Sequence, residues 1–161
     1  MADFQSLLIP SPTLEKWDNL LEMLAKLSAT SIAFVVRLKP DNQFKILATN
    51  KHSETAFRHG VLIPINEDLY CNEVLKRKGS FELIDANTSE RWKNTLLNQM
   101  GYSFYLGEYL SYPDENAFGT ICVLDKKPIS KENSVQELLG YFRAVVESDI
   151  ATTIIESKLK N

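Results

Sequence analysis

The chain predicts an α+β domain built in layers, with its helices segregated by face. Two pairs of strand-like segments are each joined by a short turn cluster, and apolar stripes at helical spacing occupy both ends of the sequence. At 161 residues the chain fits one domain, 1–161, large enough to bury roughly 70% of its unfolded surface in a single core.

The elements follow in order. Ser11-Pro12 supplies an N-cap with proline at the first helical position, and Trp17, Leu20, Leu21, Leu24 and Leu27 repeat at helical spacing, so residues 12–28 read as an amphipathic helix. Ser31 to Lys39 and Phe44 to Asn50 are strands around the Pro40-Asp41-Asn42 turn. Residues 51–64 carry both histidines, His52 and His59, with Phe57 and Gly60, and have no clean period, which predicts a loop with at most one helical turn. A helix follows with Asn66 as N-cap, Glu67 and Asp68 in its first turn, Lys76, Arg77 and Lys78 in its last, and Tyr70, Cys71, Val74 and Leu75 facing inward. Ser80 to Asp85 is a short strand. A Ser89-capped helix holding Trp92, Leu96, Leu97 and Met100 then stops at Gly101.

The strongest local signal is the second hairpin. Residues 102–112 are rich in Tyr, Phe and Leu, residues 118–124 in β-branched and apolar types, and Pro113-Asp114-Glu115-Asn116 between them has turn chemistry. Alternation puts Phe118, Thr120, Cys122 and Leu124 on one face of the second strand and Gly119, Ile121, Val123 and Asp125 on the other. Both faces are mostly apolar, so the strand is central. From 130 to 161 a single helical pattern runs to the end, with Ser134 and Glu137 at capping-box spacing. Its stripe of Leu138, Leu139, Phe142, Val145, Val146, Ile150, Ile154 and Leu159 spans about 40 Å at 1.5 Å per residue, longer than a sheet it would cover.

Composition excludes several function classes. A net charge of -3 with interspersed signs gives no basic field for nucleic acid and no polybasic run for a membrane surface. Residues 1–8 lack a signal peptide's basic and apolar regions, and no apolar run reaches membrane-spanning length, so the expected location is cytoplasmic. No GxxxxGK, GxGxxG or Gly-x-Ser-x-Gly occurs, so nucleotide phosphate loops and that type of hydrolase nucleophile are absent. Two loop histidines without ligand spacing or partners predict no haem, iron or other metal site.

Tyr70-Cys71, Trp92, Tyr105-Leu106-Gly107, Pro113-Asp114 and Phe118-Gly119-Thr120-Ile121-Cys122-Val123-Leu124-Asp125 together resemble the GAF domains found with histidine kinases and diguanylate cyclases. The resemblance spans the chain, with two departures: Tyr109 stands where the pattern usually has proline, and Glu115-Asn116 replaces a glycine turn. It implies a central antiparallel sheet with the first and last helices on one face and a loop-covered pocket on the other. The pocket would be lined by Phe57, Tyr70, Cys71, Trp92, Tyr105, Phe118, Thr120 and Cys122, an aromatic cage with hydroxyl and indole donors for an unidentified small ligand. A cluster of this kind is equally a plain core.

The resemblance also orders the alternatives. A bilin site would show Cys-His, whereas Cys71 precedes Asn72, and Asn50-Lys51 with Asp114-Glu115 matches a cyclic-nucleotide motif only at its ends. No cofactor is thereby indicated. Free methionine sulfoxide reductases are GAF proteins with pocket cysteines, but neither Cys71 nor Cys122 has a basic neighbour in sequence and their cysteine-bearing lid loop is not found here. The expected role is a non-enzymatic sensor that binds a ligand and signals through a helix-mediated homodimer, with Trp17, Leu21, Leu138, Phe142, Val145 and Ile150 at the interface. Two alternatives stay open: a dimerisation or interaction module whose pocket its own side chains fill, and a thiol-based redox enzyme of the reductase type.

Overall fold

A computed structural model describes residues 4–129 and 134–160. Its centre is a six-stranded antiparallel sheet. The chain forms α1 (Ser11–Ser28), β1 (Ile32–Lys39), β2 (Gln43–Thr49), β3 (Leu62–Pro64), α2 (Tyr70–Arg77), β4 (Phe81–Leu83), α3 (Leu96–Gln99), β5 (Phe104–Ser111), β6 (Ala117–Asp125) and α4 (Val135–Leu159). Strand order is β3-β2-β1-β6-β5-β4, so the two hairpins meet at the β1/β6 seam, where Ile32 pairs with Leu124 and Arg37 with Gly119. That pairing buries β6 on both faces and accounts for its nearly continuous apolar run.

One face of the sheet is covered by α1 and α4, with Trp17, Leu21, Leu24, Leu139, Phe142, Val146 and Ile150 packed against Val35, Leu106, Ile121 and Val123. Trp17 joins the two helices: its indole Nε1 donates to Asp149 Oδ2 at 2.9 Å, and Lys16 reaches Asp149 Oδ1 at 3.0 Å. The other face carries β-strand residues under a cover of α2, the segment 86–103 and a 3-10 turn at Thr55–Phe57.

Arg37 on β1 is buried to 5% exposure, with no carboxylate partner among the described residues. Its guanidinium donates to the carbonyls of Leu7 at 2.6 Å and Phe4 at 3.0 Å and to the Tyr112 hydroxyl at 2.9 Å, and lies 5.0 Å from the Phe118 ring centre. It thus draws the segment before α1 onto the sheet.

Local chemistry explains where elements differ from the sequence expectation. The first helix begins at Ser11 with Pro10 as its cap, and Ser134 makes no side-chain cap bond, so the proposed capping box does not form. Residues 130–133, the start expected for the terminal helix, and Asn161 lie outside the described residues. Asn66 caps no helix; its side chain accepts from Asp68 N at 2.9 Å in a local turn, and α2 starts at Tyr70. The expected Ser89 helix is a run of turns followed by the four-residue α3, whose cap is Thr95. The loop after β2 contains the unforeseen edge strand β3, where Pro64 sits as an edge allows.

The β5–β6 register slips between Leu110, opposite Gly119, and Ser111, opposite Ala117, leaving Phe118 as the extra residue of a bulge. The slip turns Phe118 to the helix side, edge-on to Trp17 at 6.3 Å and 5.3 Å from Tyr112. The expectation that Phe118 shares a face with Thr120 and Cys122 is therefore corrected. In the β5–β6 turn, Glu115 has a left-handed φ of 71°, the conformation that the usual glycine adopts freely.

Candidate functional site

On the cover side, Phe57, Tyr70, Cys71, Trp92, Tyr105 and Cys122 fall in one buried cluster together with Phe34, Val36, Phe44, Phe81, Tyr102 and Leu124. They arrive from five different segments. Tyr105 and Cys122 come from the paired strands β5 and β6, Tyr70 and Cys71 from the first turn of α2, Phe57 from the 3-10 turn and Trp92 from the turns before α3. The rings touch in sequence: Phe34 stacks on Phe57 at 5.5 Å, Phe57 meets Tyr102 at 5.4 Å, and Tyr70 contacts Trp92 at 5.5 Å and Tyr105 at 5.4 Å. Phe81 closes the group against Trp92 at 5.3 Å. Such contacts each add about 0.5–1.5 kcal/mol beyond area burial.

The rings leave little free space. Between them lies a cavity of about 10 Å³, bordered by Phe34, Phe44, Phe57, Tyr70, Cys71 and Tyr105 among others. That is room for about one water molecule.

Beside the cavity sits a polar centre in an otherwise apolar layer. The Tyr105 hydroxyl donates to Cys71 Sγ at 3.3 Å, and Cys122 Sγ lies 3.8 Å from the Phe34 carbonyl. Thr120 Oγ1 borders both thiols, yet it is fully buried and has no hydrogen-bond partner among the described residues. Gly107 makes the arrangement possible: a Cβ there would lie 2.3 Å from the Tyr105 hydroxyl, so the ring can lie along its own strand only over a glycine. The neighbouring Cys122 thiol and, after it, the Tyr105 hydroxyl hold the Cys71 thiol below its ordinary pKa, whereas burial pushes Cys122 and Tyr105 up. Cys71 and Cys122 are 6% and 0% exposed, so neither thiol opens onto the surface in this arrangement.

Sequence reasoning missed Phe34, Phe81 and Tyr102. Strand alternation in β1 and β4 could have supplied the first two; Tyr102 precedes β5 outside any period and is fixed by its own carbonyl, which accepts from the Tyr70 hydroxyl at 2.9 Å.

The histidines sit elsewhere. His52 accepts from Glu54 N on Nδ1 at 3.0 Å and faces the Phe57 carbonyl and Thr49 with Nε2; burial lowers its pKa, favouring the neutral ring. His59 bonds Asp18 at 2.8 Å across to α1. Among the described residues, no group of three or more His, Cys, Asp or Glu could hold a metal, and no helix is long and apolar enough to cross a membrane. Asn50 is a structural tie, accepting from Ala33 N at 2.9 Å and donating to the Ser31 carbonyl at 3.0 Å.

The expected dimer residues divide. Trp17, Leu21, Phe142 and Ile150 are buried within the chain and cannot meet a partner, and Leu138 is half-buried against the same core. The correction follows from the position of the sheet, which takes the stripe through Leu139, Phe142, Val146 and Ile150. Val145 instead belongs to a second line on the outer side of α4: Tyr141, Val145, Ser148, Thr152, Ile155 and Leu159, spaced alternately by four and three residues, exposed, and without a charge.

No family profile and no curated protein sequence matches the chain. Solved structures do. The GAF domain of an Acinetobacter phosphoenolpyruvate-protein phosphotransferase superposes with a TM-score of 0.68 at 18% identity, over 88% of this chain and 83% of that one. A free methionine-R-sulfoxide reductase from Neisseria meningitidis, solved with its substrate, gives 0.70 at 10% identity over 89% and 80%. The chromophore-binding domain of a Stigmatella aurantiaca bacteriophytochrome gives 0.67 at 12% identity over 88% of this chain and 55% of that one. The fold is that of a GAF domain.

Proposed function

We propose that this GAF-fold chain is a non-catalytic regulatory domain, which takes up a small ligand between the sheet and its cover and passes the event to a second copy through α4. The polar centre carries the reading. A hydroxyl buried without a partner, as at Thr120, costs about 1–3 kcal/mol, and a ligand's polar atom would recover it. The lining residues offer aromatic faces plus the Tyr105 hydroxyl for orientation. Because the rings fill the space to about 10 Å³, uptake moves α2 and segment 86–103 outward, and the ligand acts by preferring that arrangement. The burial of both thiols supports a role without catalysis.

The same small cavity favours a second reading, in which the aromatic layer is complete and the domain serves association alone. Native mass spectrometry of the purified protein, against its denatured mass, separates the two when run on wild type and Thr120→Val. A non-covalent adduct that Thr120→Val loses supports the sensor. Matching masses, with Thr120→Val raising stability by about 1 kcal/mol, support the self-filled module.

The outer line on α4 supports a homodimer, since uncharged side chains at alternating four and three spacing, apolar at Tyr141, Val145, Ile155 and Leu159, suit a coiled-coil contact. Wild-type protein should sediment as a dimer, and Val145→Glu with Ile155→Glu should shift it to monomer while leaving the circular dichroism spectrum unchanged, because both side chains are exposed. A wild-type monomer at micromolar concentration would remove the dimer from the proposal.

A further inference from the structure

We propose that Cys71 and Cys122 form a reversible disulfide on exposure to hydrogen peroxide, stapling α2 to the centre of the sheet. The chain's two cysteines are far apart in sequence but adjoin in the cover-side cluster, one in the first turn of α2 and one on β6, elements that pack directly on each other. This does not depend on ligand uptake, and its readout is separate from it.

The two sulfurs are not equivalent. Cys71 receives a hydrogen bond from the Tyr105 hydroxyl at 3.3 Å, which stabilises a thiolate, and it borders the cavity of about 10 Å³. Cys122 is wholly buried and faces the Phe34 carbonyl, which stabilises the protonated thiol. The hydrogen-bond pattern therefore makes Cys71 the nucleophile. Access selects the oxidant. A space that holds about one water molecule passes a peroxide when the cover breathes and excludes glutathione disulfide.

The chemistry balances. The Cys71 thiolate attacks one peroxide oxygen and the O–O bond breaks; the departing hydroxide takes a proton and leaves as water, with sulfenic acid on Cys71. Cys122 then attacks the Cys71 sulfur, the S–O bond breaks, and hydroxide leaves with the Cys122 proton as a second water. Two thiols supply two electrons, and one peroxide becomes two waters. A dithiol reverses the step by exchange and is itself oxidised to a disulfide.

The test treats native protein with hydrogen peroxide or with glutathione disulfide, then counts free thiols by alkylation in denaturant and maps cross-linked peptides. With peroxide, both thiols should disappear together into a Cys71–Cys122 peptide, Tm should rise by about 5–15 °C because the bond closes a loop of roughly fifty residues, and dithiothreitol should restore both. Glutathione disulfide should leave the thiols free. In Cys122→Ala, dimedone should trap sulfenic acid on Cys71 about tenfold more than on Cys122 in Cys71→Ala. Thiols that stay free in peroxide-treated native protein, a cross-link between chains, or an internal cross-link with unchanged Tm would each overturn the proposal. The wild-type measurements decide even where a variant folds poorly.

Discussion

Gly119→Ala should leave little folded protein. A Cβ at this position would lie 1.8 Å from the Val36 carbonyl oxygen and 2.8 Å from its carbon, so the obstacle is the backbone of the adjoining strand. Gly119 pairs with Arg37 on one side and Leu110 on the other, at the edge of the Phe118 bulge. Relief would require β1 and β6 to part at the seam that joins the two hairpins. Overpacking that a side chain can absorb costs about 1–3 kcal/mol; backbone displacement at the sheet centre should cost about 5 kcal/mol or more, enough to unfold a domain at the lower end of the usual range of about 5–15 kcal/mol. Circular dichroism with urea titration checks this. Gly107→Ala is the comparison, since the nearest atoms to its Cβ belong to the Tyr105 side chain rather than to a neighbouring backbone; a Gly119→Ala protein as stable as Gly107→Ala would refute the close-approach argument.

Trp17→Ala should lower stability by about 3–5 kcal/mol, the range for removing a large buried aromatic. Trp17 is wholly buried, meets Phe118 edge-on, and donates its indole N–H to Asp149. Truncation leaves a cavity between α1, α4 and β6 and removes one of the two bonds that join the helices through Asp149. Trp17→Phe, which keeps most of the ring volume and loses the donor, should cost roughly half as much. Equal losses in the two variants would show that the Asp149 bond, rather than the packing, holds the helix pair.

Periodic segments made the fold legible. The strands around Pro40-Asp41-Asn42 and Pro113-Asp114-Glu115-Asn116 alternate clearly, and α1 and α4 have long apolar stripes, so sheet and end helices could be placed. What the sequence hid depends on register and on short-range turn chemistry. Phe118 changes face because one extra residue sits opposite Leu110 and Ser111, and nothing in the local composition marks that slip. Trp92 sits in turns because Ser89, Thr88 and Asp85 satisfy the backbone locally and compete with helix. On α4, apolar residues occupy two sides, and only the sheet's position decides that Phe142 and Ile150 go inward while Val145 and Ile155 stay out. The candidate site was read residue by residue for the most part, because Tyr70, Cys71, Tyr105 and Cys122 lie on elements whose spacing is regular.

Arg37 gives the domain an anchor of an uncommon kind. Among the described residues its hydrogen-bond partners are the peptide carbonyls of Leu7 and Phe4 and the hydroxyl of Tyr112, so this grip uses no carboxylate there. Salt, which loosens surface pairs such as Lys16–Asp149, should therefore leave the grip on residues 4–7 intact. Carbonyls are also common to every amino acid, so this grip constrains the path of the opening segment and leaves its spelling free.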